Sequence, residues 1–427
     1  MTLASDFKID RGLGVTAAKG FRAGAATCGI KTSGKPDLAV LVCEVEAAAA
    51  AVFTQNRVVG SPVIVSREHL ARRSTMRGVV VSSGNANTCT GEQGVADARE
   101  MVALVARRVG CEPEALLIAQ TGVIGRPLPM DKVRAGIPAA CADLAAGCDA
   151  DAAFAGAIMT TDTVRKQAGT RVALAGRTVT IGGATKGVGM VAPNMATTLS
   201  FLSTDAAVEP KFLQDALGRA VGRTFNCLTV DGHTSTSDTM AVLASGFAMQ
   251  GKAGRRPGVA GLCPGEAGAV VGGTPEGNLF EAALHAVCDS LARQIVADAE
   301  GGTKVIEVRV TGAASDDEAR RAAGAIANSP LVKCAFFGQD PNWGRIVSAA
   351  GMAGISSGPE TMRLALGSVV IFERGTPVAA DRAALKAVMA AREIAVHLDL
   401  GAGRGRARFL TCDLSYDYVK INAEYTT

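Results

Sequence analysis

Apolar and polar residues alternate in short blocks along the 427-residue chain, and the blocks switch between a period of two and a period near 3.6. Leu38–Val45 and Val79–Ser83 are apolar, β-rich runs that predict strands, the second leading into the loop Ser83-Gly84-Asn85-Ala86-Asn87. Met101, Leu104, Val105 and Val109 recur at helical spacing and predict a helix over Val95–Val109. Leu116–Gln120 predicts a buried strand entering Thr121-Gly122-Val123-Ile124-Gly125, and Arg171–Ile181 a hairpin turning at Ala175-Gly176. Thr197–Ser203 predicts a strand and Phe212–Val221 a helix. Leu279, Ala283, Ala286, Val287, Leu291 and Ile295 share one helical face, so Leu279–Val296 predicts a helix stopped near Ala299-Glu300-Gly301-Gly302. Lys304–Thr311 alternates as a strand, Asp381–Ala391 predicts a helix, and Ala395–Tyr418 predicts a hairpin around Gly401–Gly405. Gln250–Pro275 is rich in Gly, Pro and Ala, has no period, and predicts an exposed insertion. Interleaved strands and helices predict an α/β or α+β fold, with no clear internal repeat.

Composition narrows the function class. The length suggests two or three domains. Hydrophobic residues are 48% and charged residues 20%, within the range of a folded soluble protein. A net charge of +4, scattered basic residues and 4% aromatics give no footprint for nucleic acid. The 11 cysteines are irregularly spaced and form no C-x-x-C, so free buried thiols are expected rather than disulfides or a metal site. No secretory h-region is read in Met1–Gly12, and the apolar run Ala47–Phe53 is too short to span a bilayer, so a cytoplasmic protein is expected.

The densest candidate chemistry is Lys186-Gly187-Val188-Gly189-Met190-Val191-Ala192-Pro193-Asn194-Met195-Ala196-Thr197-Thr198. A threonine hydroxyl is a weak nucleophile without a base. An N-terminal threonine carries its own base, since a free α-amine has a pKa of roughly 7.7–8.0. A cut between Ala196 and Thr197 would unmask that amine. It would also divide the chain into residues 1–196 and 197–427. Small Ala196 leaves room for attack on its carbonyl, and Pro193 keeps the approach extended. A glycine-rich turn entering a strand is the plainer alternative. Gly187, Gly189 and Ala192 also fit a dinucleotide-binding G-x-G-x-x-A, but that motif needs a helix directly after it.

The remaining motifs are weaker. Thr121-Gly122 sits where a strand meets a glycine-bounded loop, a place from which donors can face an anionic oxygen, or simply a turn. Thr160-Thr161-Asp162-Thr163 reads as a cap or turn, and Asn422–Thr427 as a terminus. The clustered hydroxyls and carboxylates of Asp231-Gly232-His233-Thr234-Ser235-Thr236-Ser237-Asp238 could bind a metal or a polar ligand, but such a run more often is a loop that satisfies its own backbone. Gly354-Ile355-Ser356-Ser357-Gly358 formally matches a nucleophile elbow, but Pro359 follows it and a surface turn is expected.

Together these segments resemble the ornithine acetyltransferase family over the full length. The resemblance rests on Ser83–Asn87 with Cys89-Thr90-Gly91, Gln120–Gly125, Met159–Thr163 and Lys186–Thr197. It continues through Val230-Asp231-Gly232 with Thr234-Ser235-Thr236, Glu300-Gly301, Asp340–Arg345 and Ile421–Tyr425. It implies a layered α/β sandwich of the self-cleaving type, two chains from one precursor, assembled as an α2β2 heterotetramer. It implies Thr197 as the nucleophile and Thr121 with Gly122 as the oxyanion hole. Thr160, Lys186, Thr197, Glu300, Asn422 and Thr427 would contact substrate. The implied reaction moves acetyl from N2-acetyl-L-ornithine to L-glutamate in arginine biosynthesis, without metal or organic cofactor. A bifunctional form would also take acetyl-CoA. A self-cleaving aminopeptidase, or a non-catalytic or dinucleotide-binding protein, are the alternatives. Val188, Thr198 and His233 depart from the residues the family leads one to expect, and the insertion is longer.

Overall fold

The computed structural model describes residues 7–193, 198–249 and 269–424. Ala196, Thr197 and Thr427 therefore lie outside the described residues. So does most of the Gln250–Pro275 insertion.

The larger sheet contains β1 (Phe21–Ala26), β2 (Leu38–Phe53), β3 (Thr75–Asn85), β4 (Leu116–Val123), β5 (Lys166–Leu174), β6 (Arg177–Lys186), β7 (Leu199–Thr204) and β8 (Thr239–Ala244). Its order is β4-β3-β2-β8-β7-β6-β5, with β1 paired to β2. Both faces are covered, which is why its strands read as near-continuous apolar runs. Along β7 and β8 the pleat sends Leu202, Met240 and Val242 into one cluster and Phe201, Ala241 and Leu243 into another. The first cluster packs on α5 (Pro210–Arg223) and α6 (Pro275–Ala297), the second on α4 (Cys148–Ile158). Helices α1 (Ser61–Arg72), α2 (Gly91–Val109) and α3 (Met130–Ala142) pack around β1 to β4.

The smaller sheet contains β9 (Val305–Ala313), β10 (Arg363–Leu366), β11 (Val369–Glu373), β12 (Thr376–Pro377), β13 (Glu393–Asp399) and β14 (Gly405–Cys412), in the order β12-β11-β10-β13-β9-β14. Its apolar face, including Ile306, Val308, Val310, Val396 and Phe409, packs on α7 (Asp316–Asn328), α8 (Pro330–Phe337) and α9 (Trp343–Gly351). Met389 of α10 (Arg382–Ala390) joins that core. The alternate residues meet α6 through charge: Arg293 bonds Glu307 at 2.6 Å, and Arg408 pairs with Asp289. Helix α6 thus bridges the two sheets, and on the smaller one these ion pairs flank an apolar contact with Val305, Leu410 and Cys412. Helix α11 (Tyr416–Glu424) ends the described chain.

The layered α/β expectation holds, and each predicted helix is found: α2, α5 and α6 run two to five residues beyond the expected spans, while α10 is one residue shorter at each end. Three expectations need correction. β13 and β14 do not form a hairpin, because β9 lies between them, parallel to β13 and antiparallel to β14. The end of the predicted insertion is ordered: Val270 is buried and bridges Val208, and Thr274 caps α6 by accepting from Gly277 N. The ten described cysteines are free, but Cys89, Cys148 and Cys334 are exposed rather than buried. Among the described residues no helix is long and apolar enough to cross a membrane, and no side-chain cluster could hold a metal ion.

Candidate active site

Thr121 and Gly122 stand near the end of strand β4, just before Val123. Gly122 has φ 130°, and a Cβ there would lie 2.3 Å from the Gly84 carbonyl carbon, so only glycine lets β4 run this close to β3. The Asn-rich loop braces this corner: Asn87 Nδ2 donates to Gln120 Oε1 at 2.8 Å, and Asn85 Nδ2 donates to the Arg126 and Pro127 carbonyls at 3.1 Å.

Strand β6 delivers Lys186 to the same place. Its Nζ donates to Thr121 Oγ1 at 2.6 Å, across the ends of strands distant in the sheet order. The charged ammonium has donors only, so Thr121 Oγ1 accepts and its own proton is free to point elsewhere. Burial pushes the Lys186 ammonium down from its ordinary value, against the pull of Asp162, Asp238 and Glu300.

Asp162 holds this corner together. It accepts from Thr160 N at 3.0 Å, from Gly187 N at 2.8 Å and from Lys166 Nζ at 2.7 Å. Lys166 is also fully buried and reaches Asp298 at 2.6 Å. Burial alone would raise the Asp162 carboxyl, but Lys166, Lys186 and the Gly187 N–H outweigh it and hold it below the usual range.

Beyond Gly187 the chain is bent and pinned. Met190 has φ 53°, and Asp231 accepts from Met190 N at 2.6 Å and Val191 N at 3.0 Å. A Cβ at Gly189 would lie 2.3 Å from Glu300 Oε2, so a side chain there would displace that carboxylate. Glu300 follows α6, donates its backbone N–H to the Val188 carbonyl at 2.9 Å, and accepts from Thr161 Oγ1 at 2.8 Å. Asn422 of α11 donates to Glu300 Oε2 at 3.1 Å. Burial, with Asp231 beside it, pushes the Tyr418 phenol up.

These groups line one cleft of about 230 Å³ whose walls include Thr121, Gly122, Thr160, Lys186, Glu300 and Asn422. Every sequence-predicted site residue that is described is therefore in one place. The β6–β7 register pairs Lys186 with Leu199, so the chain that follows residue 197 starts beside the lysine. Sequence reading missed Asp162, Asp231, Asp238 and Tyr418 as site residues. The three aspartates looked like turns or local caps, although their grouping with Thr and Ser was the available signal, and Tyr418 was read only as the end of a hairpin.

The sequence matches the ArgJ family over residues 22–427. It is 48% identical over 416 residues to the arginine biosynthesis bifunctional protein ArgJ of Symbiobacterium thermophilum, covering 97% of this chain and 98% of that protein. It is 45% identical over 415 residues to the protein of that name from Gloeobacter violaceus, again covering 97% and 98%. The Geobacter sulfurreducens ArgJ is 46% identical over 410 residues, with 96% and 99% covered. The chain belongs to the ArgJ family.

Proposed function

We propose that the chain cuts itself between Ala196 and Thr197 and then transfers acetyl from N2-acetyl-L-ornithine to L-glutamate, in arginine biosynthesis, through an acetyl-Thr197 ester. The carrying observation is the convergence of Thr121, Gly122, Thr160, Lys186, Glu300 and Asn422 on one cleft, with Lys186 hydrogen-bonded to Thr121. Family membership and the bifunctional relatives support the same reading.

The chemistry is two-step. Thr197 Oγ attacks the acetyl carbonyl while the α-amine takes its proton. The Thr121 hydroxyl and the Gly122 N–H stabilise the oxyanion. The C–N bond breaks, and ornithine leaves with the proton on its α-nitrogen. Glutamate's amine then attacks the ester and regenerates the free hydroxyl. Lys186 would face the substrate carboxylate and Glu300 the ornithine ammonium. Thr427 would close the substrate site, and the two chains would stay associated as α2β2. No metal or organic cofactor is invoked, and acetyl-CoA would be an additional donor in a bifunctional form. The setting would be cytoplasmic.

Intact mass after brief exposure to acetylornithine is the direct test. Two chains are expected, the one beginning at residue 197 gaining the mass of one acetyl group. A single uncut mass in active enzyme would sink the reading. Thr121→Val keeps the side-chain volume but removes the oxyanion donor. It should lower kcat by about 100–1,000-fold with little change in KM, and Thr121→Ser should recover most of the loss. Glu300→Gln should raise the KM for acetylornithine by roughly 10–100-fold, the scale of one lost charge-assisted hydrogen bond, without raising that for glutamate. Steady-state kinetics with each substrate varied in turn decides both.

A further inference from the structure

Lys333 lies in α8, is 4% exposed and takes no part in the chemistry above. Its ammonium gives its three protons to neutral acceptors: the Val230 carbonyl at 2.6 Å, Thr411 Oγ1 at 3.0 Å and Cys412 Sγ at 3.5 Å. A buried cation is costly to desolvate, and an apolar side chain of that volume would pack as well. What the ammonium adds is direction, and its shortest bond leads to the cleft wall. Val230 precedes Asp231, and Val230 N donates to the Val191 carbonyl at 2.8 Å. Asp231 in turn holds Met190 N and Val191 N. Met190 needs that clamp, because φ 53° is a backbone conformation that a residue with a side chain rarely adopts. Met190 and Asp231 both line the cleft. The backbone of Lys333 reaches a second part of the wall: its carbonyl accepts from Leu414 N at 3.3 Å. Ser415, the next residue, donates to the Gly301 carbonyl at 2.6 Å and accepts from Tyr418 N at 3.3 Å, which seats the start of α11. Tyr418 and Asn422 of α11 line the cleft as well.

We propose that Lys333 is a positioning residue for the substrate side of the cleft. Its ammonium fixes Val230, and through it the Asp231 clamp on Met190 and Val191. Its carbonyl fixes the link into α11. One buried residue thereby ties the helices of the smaller sheet to two parts of the cleft wall. Lys333 acts through Asp231 and is not itself among the residues that line the cleft. The groups assigned to the oxyanion are held by other residues: Gln120, just before Thr121, is braced by Asn87, and Gly187, just after Lys186, is held by Asp162. Substrate binding should therefore depend on Lys333 more than the rate of the chemical step does. The inference rests on the function proposed above, since acetylornithine is the substrate that the wall would hold.

Lys333→Met tests it, because methionine fills nearly the same space and donates nothing. The KM for acetylornithine should rise by about tenfold, the scale of one displaced hydrogen bond to a charged group. The kcat per cut terminus, counted by intact mass, should stay within about threefold. A residue that only supports folding would instead lower the folded share, which lowers kcat per terminus and leaves KM alone. The second readout is coupling. Asp231→Asn should raise the same KM on its own, and adding Lys333→Met should change it by no more than about twofold, because both substitutions undo one clamp. If Lys333→Met has no cooperative melting transition, Lys333→Gln, one atom shorter and still a donor, decides by the same two readouts. An unchanged KM in the folded variant overturns the proposal. So does a double variant whose rise in KM is the product of the two single rises. Loss of the melting transition in both Lys333 variants also overturns it, and marks a folding residue only. If the unsubstituted protein itself neither cuts nor transfers acetyl, the function proposed above fails first, without any variant.

Discussion

Thr197→Ala should give a single full-length chain with no measurable acetyl transfer. Two losses combine in one substitution. The alanine has no hydroxyl to attack the preceding carbonyl, so the chain stays whole. The nitrogen of residue 197 then remains an amide, which cannot accept a proton at neutral pH. The expected fall is about 10⁵–10⁶-fold, the scale of deleting a covalent nucleophile. Thr197→Ser keeps the hydroxyl and should still cut and turn over, more slowly, because the γ-methyl that restricts χ1 is gone. Folding should survive in both variants. The chain on either side is fixed by groups other than the threonine side chain: Asp231 holds Met190 and Val191, and Asp238 holds Thr198. A denaturing gel, intact mass and a transfer assay on the same preparation are sufficient. A cut Thr197→Ala chain, or one that transfers acetyl, would falsify the assigned nucleophile.

How much of this was legible in the chain depends on whether the cause was local. Helix α6 and strands β3 and β4 were readable, because a stripe or an apolar run is written in consecutive residues. The alanine run in β2 was not, since Ala47–Ala51 carries no strand preference and becomes β only by pairing with β3 and β8. The false hairpin had the same origin. β13 and β14 have the right spacing and glycines, but β9, about ninety residues earlier, supplies the better partner for both. In the site, Thr121, Gly122, Thr160, Lys186, Glu300 and Asn422 came from the family resemblance, and the cleft gathers them. Asp162, Asp231 and Asp238 escaped because their partners lie 25 to 41 residues away, at Gly187, at Met190 and Val191, and at Thr198. A carboxylate that caps a distant backbone is indistinguishable in sequence from one that caps its own loop.

Asp162→Ala should cost both stability and activity, and the two losses should separate. Asp162 is buried between Lys166, 0% exposed, and Lys186, 3% exposed. Breaking one partner from a buried ionic cluster costs about 3–5 kcal/mol, because the cations left behind are not rehydrated. The Gly187 and Thr160 N–H groups lose their acceptor as well. Since these flank Lys186 and the cleft wall, kcat should fall even in protein that is fully folded at the assay temperature. The pH dependence fixes the cause. The Asp162 carboxyl is held below its ordinary 3.8 in the folded state, so its contribution is present above that value and is lost as pH falls through the folded pKa. The stability gap between Asp162→Ala and the unsubstituted protein should therefore be constant from about pH 7 to about pH 5 and narrow below about pH 4. In Asp162→Ala the buried Lys166 keeps only Asp298 as a carboxylate partner; the double variant Asp162→Ala, Lys166→Met removes that half-compensated cation, leaves Asp298 accepting from Thr163, and should recover part of the stability. It should recover little of the activity, because Gly187 and Thr160 still lack their acceptor. Denaturant unfolding and transfer kinetics on the three proteins measure both. If activity returned in step with stability, Asp162 would serve only to neutralise Lys166, and its hold on Lys186 and Thr160 would have no part in the chemistry.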